Sequence, residues 1–129
     1  MNKRTNISSG APWEDIVGYS RAVRIGNIIE ITGTVSIKDG KTVGIGDPYA
    51  QTKRILEIIT EYVEKAGGSI EDIVRTRMYV TDISKWEEIG RAHGEVFGTI
   101  KPTTSMIEVS ALIDPEYMVE IEATAIVLD

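Results

Sequence analysis

Strict alternation of apolar and polar residues marks the last quarter of the chain. Residues 102–110 and 118–126 both alternate, which predicts two β-strands. We expect one side of the sheet to carry Ile107, Val109, Val119, Ile121, Ala123 and Ala125. We expect the other side to carry Thr104, Met106, Glu108, Glu120, Glu122 and Thr124. Three carboxylates in neighbouring strands repel one another unless nearby cations neutralise them, so this second face is a candidate site.

Two helices are predicted upstream. For the first, Asp47 is a good N-cap, Pro48 suits the first helical position, and Gly67-Gly68 marks the end. Its apolar stripe is Thr52, Ile55, Leu56, Ile59, Val63 and Ala66. For the second, Ser84 and Glu87 have the spacing of a capping box, which predicts a helix continuing through Phe97. Its buried stripe is expected to be Trp86, Ile89, His93 and either Val96 or Phe97.

The remaining strands are predicted from shorter patterns. Tyr19–Ile25 and Ile28–Thr34 flank Gly26-Asn27, which is a plausible two-residue hairpin turn. Residues 71–81 alternate as another strand. One side of it would carry Val74, Thr76, Met78 and Val80, and the other Arg75, Arg77 and Tyr79. Residues 1–17 have no clear period and are expected to wrap the surface.

This order, β-β-α-β-α-β-β, predicts a single domain over residues 1–129. Two helices can cover only one face of one sheet, so we expect a two-layer α/β sandwich. The uncovered face combines arginines and glutamates of complementary charge with Tyr79 and Met106. Such a face can be solvated, but this mixture favours an oligomer in which it is partly buried against another copy.

Composition narrows the function. The formal net charge is −6 without a basic run, so nucleic-acid binding is not expected. The chain has no cysteine and one histidine, which excludes thiol chemistry and gives no support to a multi-histidine metal site. Gly44 and Gly46 lack the Lys-Ser/Thr sequel of a P-loop. No apolar run is long enough to span a membrane and no signal peptide is evident, so we expect a cytoplasmic protein.

Four segments together resemble the Rid family, also known as YjgF/YER057c/UK114 or endoribonuclease L-PSP. They are residues 18–26 (GYSRAVRIG), 31–33 (ITG), 74–81 (VRTRMYVT) and 119–123 (VEIEA). The resemblance implies a chorismate-mutase-like fold with one mixed sheet, assembled as a barrel-like homotrimer with ligand clefts between subunits. It also implies hydrolysis of reactive enamines and imines, such as 2-aminoacrylate and its imine tautomer, to ammonia and a 2-keto acid. No metal or organic cofactor is implied.

The resemblance also carries a departure. The family arginine that grips the substrate carboxylate is replaced here by Thr104, in the run Pro102-Thr103-Thr104-Ser105. A threonine hydroxyl offers one neutral donor in place of a charged fork. Losing the arginine contact to a buried substrate carboxylate costs about 1.5–3 kcal/mol of binding free energy. The chain therefore resembles an arginine-lacking subgroup, and its substrate is expected to lack a carboxylate.

Other site residues follow from the same resemblance. Glu120 matches the carboxylate that positions the attacking water, although a salt bridge with Arg75 or Arg77 is an equal alternative. Tyr19 matches a cleft tyrosine. Thr32 and Gly33 match a backbone element that binds ligand carboxylates. We expect Thr104 and Met106 to line the same cleft, and Glu122 to be a structural ion-pair partner.

Three further residues are possible contributors. Arg21 stands where the family has glutamine, and it or Arg91 is a candidate for the missing cation. His93 is a candidate proton shuttle, and a packed interface histidine is the alternative. The leading hypothesis is an imine or enamine deaminase. A metabolite-binding trimer without turnover is the second hypothesis, and an endoribonuclease is a remote third.

Overall fold

The computed structural model describes residues 3–128. Two α-helices lie in this range, α1 (Pro48–Lys65) and α2 (Trp86–Phe97), together with short helical turns at Glu14–Gly18, Ile70–Asp72 and Ile83–Lys85. The strands there are β1 (Arg4–Ile7), β2 (Ala22–Ile25), β3 (Ile28–Thr34), β4 (Ile37–Lys38), β5 (Lys41–Thr42), β6 (Ile73–Val80), β7 (Thr103–Glu108) and β8 (Val119–Ile126).

Six of these strands form one sheet in the order β1-β2-β3-β8-β6-β7, and β4 and β5 form a separate small hairpin. Only the β6–β7 pair among them is parallel, so the sheet is mixed. Both helices pack on one face of it, which confirms the predicted two-layer α/β sandwich. None of the helices between residues 3 and 128 combines the length and apolar character needed to cross a bilayer.

Helix α1 forms as the sequence predicts. Asp47 accepts a hydrogen bond from the amide of Ala50, and Pro48 occupies the first turn. The helix ends at Lys65, and Gly67, two residues later, has a φ of +88°, a conformation that glycine adopts without strain. All six residues of the predicted stripe are buried. The helix is therefore held by its cap at one end and by its apolar face along its length.

The core lies between the helices and the inner face of the sheet. Strand β8 alternates as predicted, with Val119, Ile121, Ala123 and Ala125 almost fully buried. On β6 the buried residues are Ile73, Thr76, Met78 and Val80. Val74 was expected among them but is 41% exposed, because the β6–β8 register shifts between residues 73 and 75.

Strand β7 faces the opposite way from the prediction. It pairs with β6 in parallel, and this register places Thr104 beside Thr76 and Met106 beside Met78. Because paired residues point to the same side of a sheet, Thr104, Met106 and Glu108 lie on the helix side. Ile107, expected in the core, lies on the other face and is 43% exposed.

The start of α2 also differs from the prediction. Asp82, not Ser84, accepts the capping hydrogen bond, and it caps the short turn Ile83–Lys85 that precedes the helix. Trp86 begins α2 but is exposed, whereas Ile89, His93 and Phe97 are buried as expected. The added turn rotates the first residue of the helix away from the core.

The N-terminal segment contains structure that the pattern did not predict. Strand β1 pairs antiparallel with β2 at the edge of the sheet. After it, the buried carboxylate of Glu14 accepts hydrogen bonds from both the amide and the hydroxyl of Ser9. These bonds fold residues 8–18 into a compact wall, which we call the N-terminal wall, beside the start of β2.

Replacement of Asp47 by alanine removes the only side-chain cap of α1 between residues 3 and 128. We expect the free energy of unfolding to fall by about 1 kcal/mol, measured by urea denaturation. Asp15→Ala is the matched control, because the exposed Asp15 accepts no hydrogen bond in that range. Equal losses for the two variants would contradict the capping role of Asp47.

Candidate functional site

A groove of about 900 Å³ opens between the N-terminal wall, the middle of β3, the outer surface of α1 and the start of β8. The groove brings together five of the residues selected from the sequence. They are Tyr19, Arg21, Thr32, Gly33 and Glu120. The arrangement depends on β3, where the register with β8 shifts between Ile31 and Thr34 and so opens the strand around Thr32 and Gly33.

Glu120 and Gly33 are in close contact across this irregularity. A methyl group built on Gly33 would overlap Oε2 of Glu120, so the carboxylate lies directly over the glycine Cα. Any larger residue at position 33 would push Glu120 out of place. The space beside the Gly33 backbone is therefore occupied by a carboxylate of the same chain.

Cross-strand register decides which carboxylate forms an ion pair. Glu122 lies opposite Arg77 on β6, and Glu120 lies opposite Tyr79. Accordingly, Arg77 approaches Glu122 to 3.7 Å, and the Tyr79 hydroxyl donates to the same carboxylate at 3.2 Å. Between residues 3 and 128, no side chain or amide donates a hydrogen bond to Glu120. Glu122 therefore forms an ion pair with Arg77, as expected. Within residues 3–128, Glu120 forms no salt bridge with Arg75 or Arg77.

Arg21 is the cation of the groove that lowers the pKa of Glu120. Its guanidinium donates to the hydroxyl of Thr34 at 2.8 Å and to the carbonyl of Gly33 at 3.2 Å. These two bonds use two of the five N–H donors of an arginine. Burial lowers the pKa of Arg21, and the nearby Tyr19 and Glu14 oppose that effect. The guanidinium is therefore a fixed, partly desolvated positive charge beside the Glu120 carboxylate.

Burial and charge act together on Glu120. Its half-buried position raises the pKa of the carboxyl group above the usual value of 4.5, and the neighbouring Glu122 raises it further, while Arg21 lowers it. A carboxylate with a raised pKa is a better proton acceptor than an exposed one. A free acceptor, a desolvated position and a nearby cation are features of a general base.

Thr104 and Met106 are not in this groove on the same chain. Both point to the helix side of β7, whereas Glu120 belongs to the side of β8 that faces away from the helices. Met106 packs against the core. Thr104 is exposed at the sheet edge, and its hydroxyl accepts from Thr76 at 2.7 Å. The alternation pattern predicted Thr104, Met106 and Glu120 on one face of the sheet. In the structure, Thr104 and Met106 lie on the helix side and Glu120 lies on the other side.

His93 and Arg91 also lie apart from the groove. His93 is buried on α2, its Nε2 is 2.9 Å from the Thr76 hydroxyl, and its ring packs against Phe97. Burial lowers the pKa of His93 below its usual value of 6.5. Arg91 lies over the ring of Tyr49 at 4.7 Å, on the outer surface of the helices. Arg21 is thus the better candidate of the two for a cation near Glu120.

Several residues of the groove were missed in the sequence. Tyr62 and Tyr117 line it together with Trp13 of the N-terminal wall. Tyr62 follows Ile59 by three positions, so helical spacing could have placed it beside the stripe of α1. Trp13 had no such signal, because residues 8–18 have no regular period. Within residues 3–128, no three acidic or histidine side chains cluster closely enough to hold a metal ion.

A two-layer sandwich with this groove defines a recognised class of protein. The sequence model described as Endoribonuclease L-PSP matches residues 10–127. The chain therefore belongs to this family, which is also named YjgF/YER057c/UK114. The resemblance found in four short segments is confirmed over nearly the whole chain.

Individual relatives agree with this assignment. A RutC family protein of Pyrococcus abyssi is 35% identical over 127 residues, which cover 97% of this chain and 98% of that protein. A crystal structure of a YjgF/YER057c/UK114 family member from Mycobacterium tuberculosis is 50% identical with a TM-score of 0.88, covering 97% and 100% of the two chains. A Rid family protein of unknown function from Yersinia pestis is 30% identical with a TM-score of 0.85, covering 97% and 100%.

The electrostatics of the groove predict how the pKa of Glu120 responds to its neighbours. Carboxyl ¹³C chemical shifts followed against pH should give a pKa above 4.5 in the wild-type protein. Arg21→Met removes a cation and should raise this pKa further, whereas Glu122→Gln removes a like charge and should lower it. A wild-type pKa no higher than that of an exposed glutamate would contradict the desolvated position of Glu120.

Proposed function

We propose that the protein is a cytoplasmic homotrimer that hydrolyses a reactive imine or enamine, releasing ammonia, in clefts between its subunits. The observation that carries this proposal is the Glu120 carboxylate. It lies over Gly33 in a groove, is partly removed from water, and accepts no hydrogen bond from residues 3–128. Membership of the family supports a Rid-like role, and the catalytic assignment rests on this group.

Hydrolysis of an imine requires a water molecule that is positioned by a proton acceptor. Glu120 would accept a proton from water as the water oxygen attacks the C=N carbon. Glu120 then returns this proton to the nitrogen, which gives a neutral carbinolamine. As the C=O bond forms, Glu120 takes the hydroxyl proton of the carbinolamine and passes it to the nitrogen, which leaves as ammonia. An enamine enters the same sequence after tautomerising to the imine. One water is consumed and one ammonia released, so the proton taken by Glu120 is returned.

Arg21 and Tyr19 line the same groove as Glu120. The positive charge of Arg21 lowers the pKa of Glu120 and so opposes the larger effect of burial. Tyr19 brings a phenolic hydroxyl to the groove that can donate to a bound ligand. Thr32 and Gly33 line the groove beside Arg21 and Tyr19. We assign these four residues to substrate binding and positioning.

In this proposal, a second copy of the chain completes the site. Thr104 and Met106 point to the helix side of an edge strand, and Glu120 points away from the helices. Neither Thr104 nor Met106 lines the groove that holds Glu120, so in this proposal they contact a ligand bound in the groove of a neighbouring subunit. Exposed Ile107 and Val74 on the uncovered face are further surface that another copy can bury. These features support the trimer and the shared cleft.

Thr104 also bears on the substrate. With a neutral hydroxyl in place of the family arginine, the cleft lacks a charged fork at this position. We therefore propose a substrate without a carboxylate at this end. The same feature favours a second candidate, a trimer that binds a small metabolite without turnover. An endoribonuclease gains no support, because the single histidine is buried and bonded to Thr76.

The first experiment is hydrolysis of freshly generated imines, with and without a carboxylate. Glu120→Gln should lower kcat by about 10²–10⁴-fold, because the amide cannot accept the proton from water. Glu122→Gln is the matched control, since this carboxylate is already occupied by Arg77 and Tyr79, and it should stay within a few-fold of wild type. Equal loss in both variants would show that bulk charge, not Glu120, supports turnover. An inactive wild type would favour the binding trimer.

Replacing Thr104 by arginine tests the missing cation. Thr104→Arg should improve kcat/KM for imines that carry a carboxylate by about tenfold, because a charged donor replaces a neutral one. Imines without a carboxylate should not gain. Thr103→Arg is the matched control, since Thr103 lies on the opposite side of the same strand. A gain in the control alone would place the ligand on the other face of β7.

The oligomer is tested by light scattering at micromolar protein concentration. A mass of three chains is expected, and a monomer would remove the basis of the shared cleft. Ile107→Asp should weaken the assembly, because it places a charge on the uncovered apolar surface. Ile45→Asp, at an exposed position in the loop before α1 and outside the groove, is the control and should leave the mass unchanged.

A further inference from the structure

Large apolar side chains line the groove of Glu120 although they are exposed to solvent. Trp13 is 57% exposed and Ile113 is 80% exposed, and Val17 and Ile37 are exposed as well. These residues belong to three segments that are separate in the sequence, namely the N-terminal wall, β4 and the loop before β8. Exposed apolar side chains that converge on one concave surface indicate a binding site for an apolar group.

The groove is also rich in aromatic side chains. Tyr62 and Tyr117 line it together with Trp13 and Tyr19, so half of the eight aromatic residues of the chain lie along this one surface. Aromatic side chains present flat apolar area and pack well against other rings. The lining therefore favours a planar ring as the apolar part of a ligand.

Buried polar contacts hold Tyr117 in place. Gln51 is fully buried, and its side-chain amide donates to the carbonyls of Gly44 at 3.1 Å and Glu116 at 2.9 Å. Its side-chain oxygen accepts from the amide of Met118 at 2.9 Å. The contacts to Glu116 and Met118 fix the backbone on both sides of Tyr117.

Trp13 is held in a similar way by its neighbour in the chain. The amide of buried Glu14 donates to the carbonyl of Ala11 at 3.1 Å, and its carboxylate accepts from the amide of Ser9 at 2.9 Å. Both aromatic walls are therefore shaped before a ligand arrives. A preorganised site loses less conformational freedom on binding.

The charged side chains that α1 brings to the groove are already paired. Arg54 is 3.2 Å from Glu57, and Glu61 is 2.9 Å from Lys65. The lysine and the aspartate at positions 38 and 39 bring opposite charges to the groove side by side. An ionised substituent would meet no net opposite charge among these residues, so a neutral substituent is favoured.

We propose that the groove binds an uncharged aromatic ring beside Glu120, so that the substrate class is an imine or enamine that carries an aryl substituent. Trp13 and Tyr117 are specificity-determining residues that contact this ring. The groove, at about 900 Å³, is in the size range of pockets that hold ligands larger than a three-carbon imine. The inference rests on the proposed function only in placing the C=N carbon near Glu120.

The ring is tested with benzamide and acetamide, which share a neutral carboxamide. Calorimetric titration of the full-length wild-type protein should give at least about tenfold tighter binding of benzamide, because its ring leaves water. Cyclohexanecarboxamide, whose ring is not planar, should bind more weakly than benzamide. Equal binding of benzamide and acetamide, or no binding of benzamide, would overturn the proposal. Equal binding of the two cyclic amides would overturn the preference for an aromatic ring.

The location of the ring is tested with alanine variants. Trp13→Ala and Tyr117→Ala should each weaken benzamide binding by about threefold or more and leave acetamide binding unchanged. Trp86→Ala is the matched control, because Trp86 is also 57% exposed but lies on α2 outside the groove. Equal losses in the Trp13 and Trp86 variants would contradict a ring bound in the groove.

Fluorescence shows whether the groove is open to a ligand. Trp86→Phe leaves Trp13 as the single tryptophan. Acrylamide should quench its emission in the free protein, and benzamide should protect it. Protection without benzamide would show that another copy of the chain covers this surface, which would overturn the proposal.

Hydrolysis separates this inference from the proposed function. Benzamide binding that depends on Trp13 supports the aromatic site even if no imine is hydrolysed. Conversely, Glu120-dependent hydrolysis that is confined to small aliphatic imines would overturn the aryl substrate class and leave the proposed reaction standing. In an active enzyme, Trp13→Ala should raise KM for an imine of phenylacetaldehyde but not for an imine of acetaldehyde.

Discussion

The alternation of strand β8 is the constraint on which the rest of the structure depends. This strand is hydrogen-bonded to β3 on one side and β6 on the other, so its inner residues form the centre of the core. Ile121 and Ala123 can be buried only if Glu120 and Glu122 face the other way. The same pairing that stabilises the sandwich thus forces two carboxylates into neighbouring positions, where their different partners give them different properties.

That difference comes from the strands beside β8. Arg77 and Tyr79 on β6 engage Glu122, whereas Gly33 on β3 makes room for Glu120 without donating to it. A carboxylate with partners is structural, and one held in place without them is available for chemistry. The irregularity in β3 is therefore as important to the site as Glu120 itself, because a side chain at position 33 would displace the carboxylate.

In the proposed function, two separate parts of the sheet contribute to one site. The groove contributes Glu120, Arg21 and Tyr19, whereas Thr104 lies outside the groove on the helix side of β7. Because these residues would meet across a subunit boundary, assembly and catalysis are linked in the proposed function. A change that only weakens the subunit contact would then also reduce activity, without altering any group in the groove.

The sequence by itself determined the elements with strong local signals. Helix α1 carried its cap, its stripe and its terminating glycines, and β8 carried its alternation, so both were predictable, as was the two-layer fold. The face of β7 was decided only by tertiary structure, because a period of two does not reveal which side is inward until register is set. Here parallel pairing with β6 placed Thr104 beside Thr76. The contact between His93 and Thr76 was missed for a similar reason, because it joins residues distant in sequence. The N-terminal wall was missed because residues 8–18 have no regular period.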